Sequence, residues 1–198
     1  MNEIADVYHR RAAAFEAKVA AVQPEQWSAP SPCPQWTARD VVGHIVDMHA
    51  VMLSPIGRAL SPAPSVKEDP LAAFRAARAD VEALLADPVT AATECDTPAG
   101  RFTAARHVHE VVSADLPLHG WDLAKATGQD ATIDPEDVRL SWESVSALPP
   151  ELIEQFRTPG AFGPGVEVFG PEVPVGSDAS PQDRLLGMIG RDPNWQHP

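Results

Sequence analysis

At Asp69-Pro70, Asp134-Pro135 and Ser180-Pro181 a capping side chain is followed directly by proline, and each time an apolar run at helical spacing comes next. The capping oxygen accepts from the free amides of a new helix, and proline presets φ at the first helical position, where its missing N–H is no loss. Leu71, Phe74, Val81, Leu84 and Leu85 follow the first signal, Val138, Trp142, Val145 and Leu148 the second, and Leu185, Leu186 and Ile189 the third. Two earlier runs complete the pattern. Ile4, Val7, Tyr8, Phe15, Val19 and Val22 predict a first helix stopped at Pro24, and Thr37 with Asp40 predicts a capped helix whose buried face is Val41, Val42, Ile45, Met48, Met52 and Leu53.

Between these runs the chain carries helix breakers. Pro30, Pro32 and Pro34 make the segment Trp27–Trp36 an extended connection, since each removes a backbone donor and fixes φ. Residues 89–102 are polar and read as irregular, with Thr97-Pro98-Ala99-Gly100 a turn. Thr103 is placed to cap a long helix running to Gly128, with Pro117 inside it, where a kink is expected at a cost of about 3 kcal/mol. From Thr158 to Ser177 glycine, proline and valine dominate, and Val166-Glu167-Val168-Phe169 alternates as a short strand does. The expectation is an all-α fold, with residues 1–157 a helical bundle and residues 158–198 an irregular arm and short terminal helix packed on the same domain.

A net charge of -13 argues against nucleic acid and anionic membranes as partners, because both require a basic face. The opening Met1-Asn2-Glu3-Ile4-Ala5-Asp6 lacks the basic and apolar regions of a signal peptide, and no run is long enough to span a bilayer, so a cytoplasmic location is expected. Cys33 and Cys95 are too few for a disulfide framework.

Asp115 and His119 stand four apart within the predicted long helix, on one face and one turn apart, so a carboxylate and an imidazole could share a divalent metal ion. The third ligand is expected to be His44, embedded among Val41, Val42, Ile45 and Val46. Two imidazoles and a carboxylate, with a fourth position left to water, suit zinc, nickel or another first-row divalent ion. His49 is excluded, because five residues carry it about 140° round the helix from His44. His107 reads as outer to the site or as a surface residue, and His109 points elsewhere. Asp47 and Asp122 read as exposed, Cys33 as a packed or loop thiol, and Trp36, Trp121 and Trp142 as core or cavity walls.

The segments Cys33-Pro34-Gln35-Trp36-Thr37-Ala38-Arg39-Asp40-Val41-Val42-Gly43-His44, Asp115 to Gly128 with His119-Gly120-Trp121-Asp122-Leu123-Ala124 at its centre, and Gly190-Arg191-Asp192-Pro193-Asn194-Trp195 carry a family likeness. Together they resemble the actinobacterial metal-binding proteins of the DinB-like superfamily, similar to the N-terminal domain of mycothiol-dependent maleylpyruvate isomerase. The resemblance implies a four-helix bundle in up-down-down-up order, with a metal at one end held by His44, Asp115 and His119. It departs at Asp115, where the isomerase has the longer Glu, and no counterpart of that enzyme's thiol-binding C-terminal domain is evident. The implied function is metal-dependent transferase or isomerase chemistry with mycothiol as co-substrate and an electrophilic second substrate. A metal-dependent hydrolase, or a non-catalytic bundle binding metal or a small ligand, stays open beside it. A homodimer is expected on general grounds alone, as the commonest oligomer.

Overall fold

The computed structural model describes residues 3–97, 100–161 and 168–196 and divides into two compact units, residues 1–131 and 132–196. Helices begin at the starts predicted from Thr37, Asp69, Asp134 and Ser180, and a further short helix that the sequence reading did not include begins at Pro150. In the first unit lie α1 (Glu3–Ala21), α2 (Ala38–Leu53) and α3 (Pro70–Ala86), with Thr37 and Asp69 as the caps of α2 and α3. The second unit holds α7 (Pro135–Ser146), capped by Asp134, α8 (Pro150–Phe156) and α9 (Pro181–Met188), capped by Ser180. The unit boundary precedes α7, which packs with α9, and so lies upstream of the sequence division at 157.

Two expectations about local structure are corrected. Residues 89–102 are not irregular: a short helix, α4 (Pro88–Ala91), leads into an antiparallel hairpin of β1 (Glu94–Thr97) and β2 (Gly100–Thr103), in which Cys95 pairs with Phe102. The fold is therefore predominantly helical with one small two-stranded sheet. The single helix expected from Thr103 to Gly128 is two helices, α5 (Ala104–Glu110) and α6 (Val112–Thr127). The chain breaks at Val111, whose φ of -114° and ψ of -91° are not helical. Val111 and Val112 are both β-branched, and their stiff side chains make this the weakest helical pair in the run.

Pro117 stays inside α6. Lacking an N–H, it leaves the Ser113 carbonyl without its helical donor. Arg11, buried on α1, supplies the replacement, its Nη1 donating to Ser113 O at 3.0 Å. The proline is thus accommodated by a cation from the neighbouring helix.

In the first unit α1 and α2 each pack against both α3 and α6. Their shared core includes Tyr8, Phe15, Ile45, Met52, Phe74, Leu84, Leu116 and Leu123, all buried. Burying each such side chain contributes about 1.5–3 kcal/mol, so the four helix faces hold one another in register. In the second unit Val138, Val145, Phe169, Leu185, Leu186 and Ile189 are buried, and Phe156 meets Phe169 edge to face at 5.1 Å. Trp142, expected to be buried, is exposed. Gly190 adopts φ +88°, and a Cβ there would lie 2.4 Å from Gly170 Cα, so only glycine suits this crossing. Of the expected strand at Val166–Phe169, residues 166 and 167 lie outside the described residues, and so do Pro98 and Ala99 of the expected turn. Among the described residues no helix is long and apolar enough to cross a membrane.

Candidate metal centre

The rotation of α2 is set at its first turn. Asp40 N–H donates to Thr37 Oγ1 at 3.3 Å, while Thr37 N–H donates to Asp40 Oδ2 at 2.8 Å, the reciprocal capping box read from the sequence. From that start, His44 emerges two turns on, on the side of α2 that faces α6. On α6 the break at Val111 places Asp115 in the first helical turn, where unpaired amides and the helix dipole favour a carboxylate. His119 follows one turn later.

The structure brings the three predicted residues together. His44 Nε2 stands 3.7 Å from Asp115 Oδ2, too far for a hydrogen bond, and the His44 and His119 ring centroids are 4.7 Å apart. One donor atom from each of His44, Asp115 and His119 lies within 4.8 Å of the other two. Ligand atoms around a tetrahedral zinc ion sit about 3.4 Å apart, so a small inward movement of side chains suffices to close on an ion. The donor set of two nitrogens and one oxygen fits a borderline divalent cation. His44 and Asp115 are 28% and 32% exposed and His119 only 10%, so the group opens to solvent on the side away from His119.

His119 is held from behind. Its Nδ1–H donates to Asp122 Oδ2 at 2.9 Å, and Asp122 is fully buried. A carboxylate accepts, so Nδ1 carries the hydrogen and the Nε2 lone pair is left for a ligand. The expectation that Asp122 is exposed is corrected here. Its spacing of three from His119 on one helix face is the sequence signal that could have placed it. Cys33 Sγ–H donates to the same oxygen at 3.2 Å, making Cys33, His119 and Asp122 a second close group of ligand-type atoms. These separations are hydrogen-bond lengths, and they tie Nδ1 to Asp122 rather than to an ion.

The loop before α2 completes the site. Trp36 lies against both imidazoles, its ring centroid 5.0 Å from that of His44 and 5.9 Å from that of His119. Trp36 N–H donates to Cys33 O at 3.1 Å, closing a turn with Pro34 and Gln35 at its centre. Gln35 takes φ +67°, a left-handed conformation that costs a side-chain-bearing residue about 1–2 kcal/mol. That strain is stored in the turn that presents Cys33 and Trp36 to His119.

The remaining histidines sort by burial and partner. His49 is a core residue: Nδ1–H donates to Ile45 O at 2.6 Å, and Nε2 accepts from the Tyr8 hydroxyl at 2.7 Å. Burial pushes its pKa down to about 4. His107 is buried, which lowers its pKa, and neither it nor His109 joins a ligand group among the described residues. Asp47 is exposed, as expected. A surface cleft of about 500 Å³ lies elsewhere, lined by Glu25, Gln26, Thr127 and Gly128 among others, and none of the three donor residues borders it.

The chain is thus a mainly helical protein in which a His/Asp/His group that could hold a metal ion is backed by a buried carboxylate. Residues 8–124, which include all of this group together with Cys33, Trp36 and Asp122, match the model of the mycothiol maleylpyruvate isomerase N-terminal domain, and the chain belongs to that family. It is similar to the protein called Uncharacterized protein Rv0738 from Mycobacterium tuberculosis strain H37Rv, with 34% identity over 187 residues that cover 92% of this chain and 95% of the relative. Uncharacterized protein MT0763 from strain CDC 1551 gives the same values. No solved structure matches the chain significantly.

Proposed function

We propose that this protein is a metal-dependent transferase or isomerase of low-molecular-weight thiol chemistry, with His44, Asp115 and His119 as the ligands of a divalent ion, zinc fitting best, and a thiol of the mycothiol type as co-substrate. The observation that carries the reading is the convergence of three donors within 4.8 Å, one of them His119 with its tautomer fixed by a buried carboxylate. The α1, α2, α3 and α6 packing supports the DinB-like four-helix arrangement expected of such a site. An ion bound there supplies one kind of chemistry, lowering the pKa of a thiol or water at its open position so that a nucleophile exists at neutral pH.

The protein's own residues do the rest. Asp115 would offset one of the two positive charges of such an ion directly, and the Asp122 carboxylate behind His119 is a second negative charge at the site, so the group as a whole is close to neutral. Asp122 holds His119 in one tautomer and one orientation before any substrate arrives, which removes reorganisation from the reaction. Trp36 covers the face shared by His44 and His119, leaving approach from the more exposed His44 and Asp115 side. Transfer of a bimane-type electrophile to mycothiol, compared with bacillary and glutathione-type thiols, tests the reading. Turnover that needs added zinc and is lost in His119→Ala is the expected result; zinc-independent turnover, or none with any thiol, contradicts it.

A further inference from the structure

Cys33 has no role in the donor set, yet its thiol lies at the back of the site, in hydrogen-bond contact with a carboxylate that has no exposure to solvent. Asp122 Oδ2 accepts from both Cys33 Sγ–H and His119 Nδ1–H, at 3.2 and 2.9 Å. A buried carboxylate is costly unless donors surround it, and a donor removed from it leaves charge that the remaining partners must satisfy. The donor here is delivered by a strained turn: Trp36 N–H closes it on Cys33 O, and Gln35 sits at φ +67°. The same turn also places Trp36 on the two imidazoles.

We infer that Cys33 is a positioning residue, a thiol donor that fixes the Asp122 carboxylate so that His119 presents Nε2 to the ion, and that it is not itself a ligand or nucleophile. This rests on the proposed metal reading of His44, Asp115 and His119. The thiol hydrogen is engaged by Asp122, and Cys33 is not among the His44, Asp115 and His119 donors. What the position requires is a hydrogen-bond donor. Serine keeps that donor at nearly the same place and alanine removes it.

The test compares wild type, Cys33→Ser and Cys33→Ala for zinc affinity by chelator competition, for the absorption spectrum with cobalt in place of zinc, and for the His119 tautomer by nitrogen NMR of the metal-free protein. Outer-sphere partners of a metal-bound histidine change affinity about 10–100-fold, and a residue acting through Asp122 belongs at the lower end, about tenfold for Cys33→Ala with Cys33→Ser close to wild type. The wild-type cobalt spectrum should lack sulfur-to-metal charge transfer. Such a band, lost in Cys33→Ser, makes Cys33 a ligand and overturns the inference, as does a Cys33→Ala variant that binds zinc like wild type. Should the wild type bind no metal, the functional reading fails by itself. The NMR arm still decides the relay: an Nδ1–H signal of His119 that weakens or exchanges faster in Cys33→Ala sustains it, and an unchanged signal refutes it.

Discussion

His49 lies in the core of the first unit and should respond to acid as a buried group. His49 is buried, and burial pulls its pKa from 6.5 down to about 4, against smaller upward effects of the Ile45 carbonyl and Asp80. Each tenfold change in proton affinity is about 1.4 kcal/mol, so protonating this ring in the folded protein is about 3 kcal/mol harder than in the unfolded chain. Above pH 6.5 the ring is neutral in both states and contributes no pH dependence. As pH falls below 6.5 the unfolded chain takes up a proton that the folded one refuses, so stability drops until the folded ring also titrates near pH 4. The perturbation is His49→Leu, which removes the titrating group. Urea unfolding between pH 7.5 and pH 4 should show a loss of stability smaller by about 3 kcal/mol in the variant than in wild type. Tyr8→Phe leaves His49 Nε2 as a buried acceptor without its donor and should cost about 1–3 kcal/mol at neutral pH. Parallel pH profiles for wild type and His49→Leu, or a His49 resonance titrating near 6.5, would refute this assignment.

Arg11→Met withdraws the guanidinium that replaces the missing donor of Pro117, and the lost charge-assisted bond to Ser113 O should lower stability by about 1.5–3 kcal/mol in urea unfolding. Adding Pro117→Ala to that variant should restore part of the loss, since the substitution supplies a backbone amide that can donate to the same carbonyl. Gly190→Ala forces a Cβ against Gly170 at a positive φ and should destabilise the second unit by more than about 1 kcal/mol, read as an earlier protease cut within residues 132–196. Wild-type protease resistance in that variant would contradict the close crossing.

Much of this fold can be read in the chain because its helix starts are local chemistry. Thr37, Asp69, Asp134 and Ser180 cap where expected, since a side-chain oxygen, joined by Asp40 after Thr37 and by a proline after the other three, acts within one turn and needs no tertiary help. The break at Val111 is not legible in the same way. Helical periodicity continues across it, and the partner that lets Pro117 remain helical, Arg11, is 102 residues away from Ser113. The hairpin around Cys95 is hidden for a related reason, because its strands are only four residues each and largely exposed. In the site, spacing and likeness single out His44, Asp115 and His119, and the three converge. Sequence reasoning puts Asp122 at the surface because a charged residue is usually solvated, whereas its contacts with His119 and Cys33 help to hold it buried. Trp142 departs in the opposite sense, as an apolar residue at helical spacing that the fold leaves exposed.

The proposed binding of one divalent ion by His44, Asp115 and His119 is open to direct measurement. Purified protein loaded with zinc, freed of excess by gel filtration and assayed by elemental analysis measures it directly. Wild type should retain about one zinc per chain, and a His44→Ala/His119→Ala double variant with an unchanged circular dichroism spectrum should retain almost none. Wild type that leaves the column without metal, or a folded double variant that still carries a full equivalent, would contradict a site formed by these three residues.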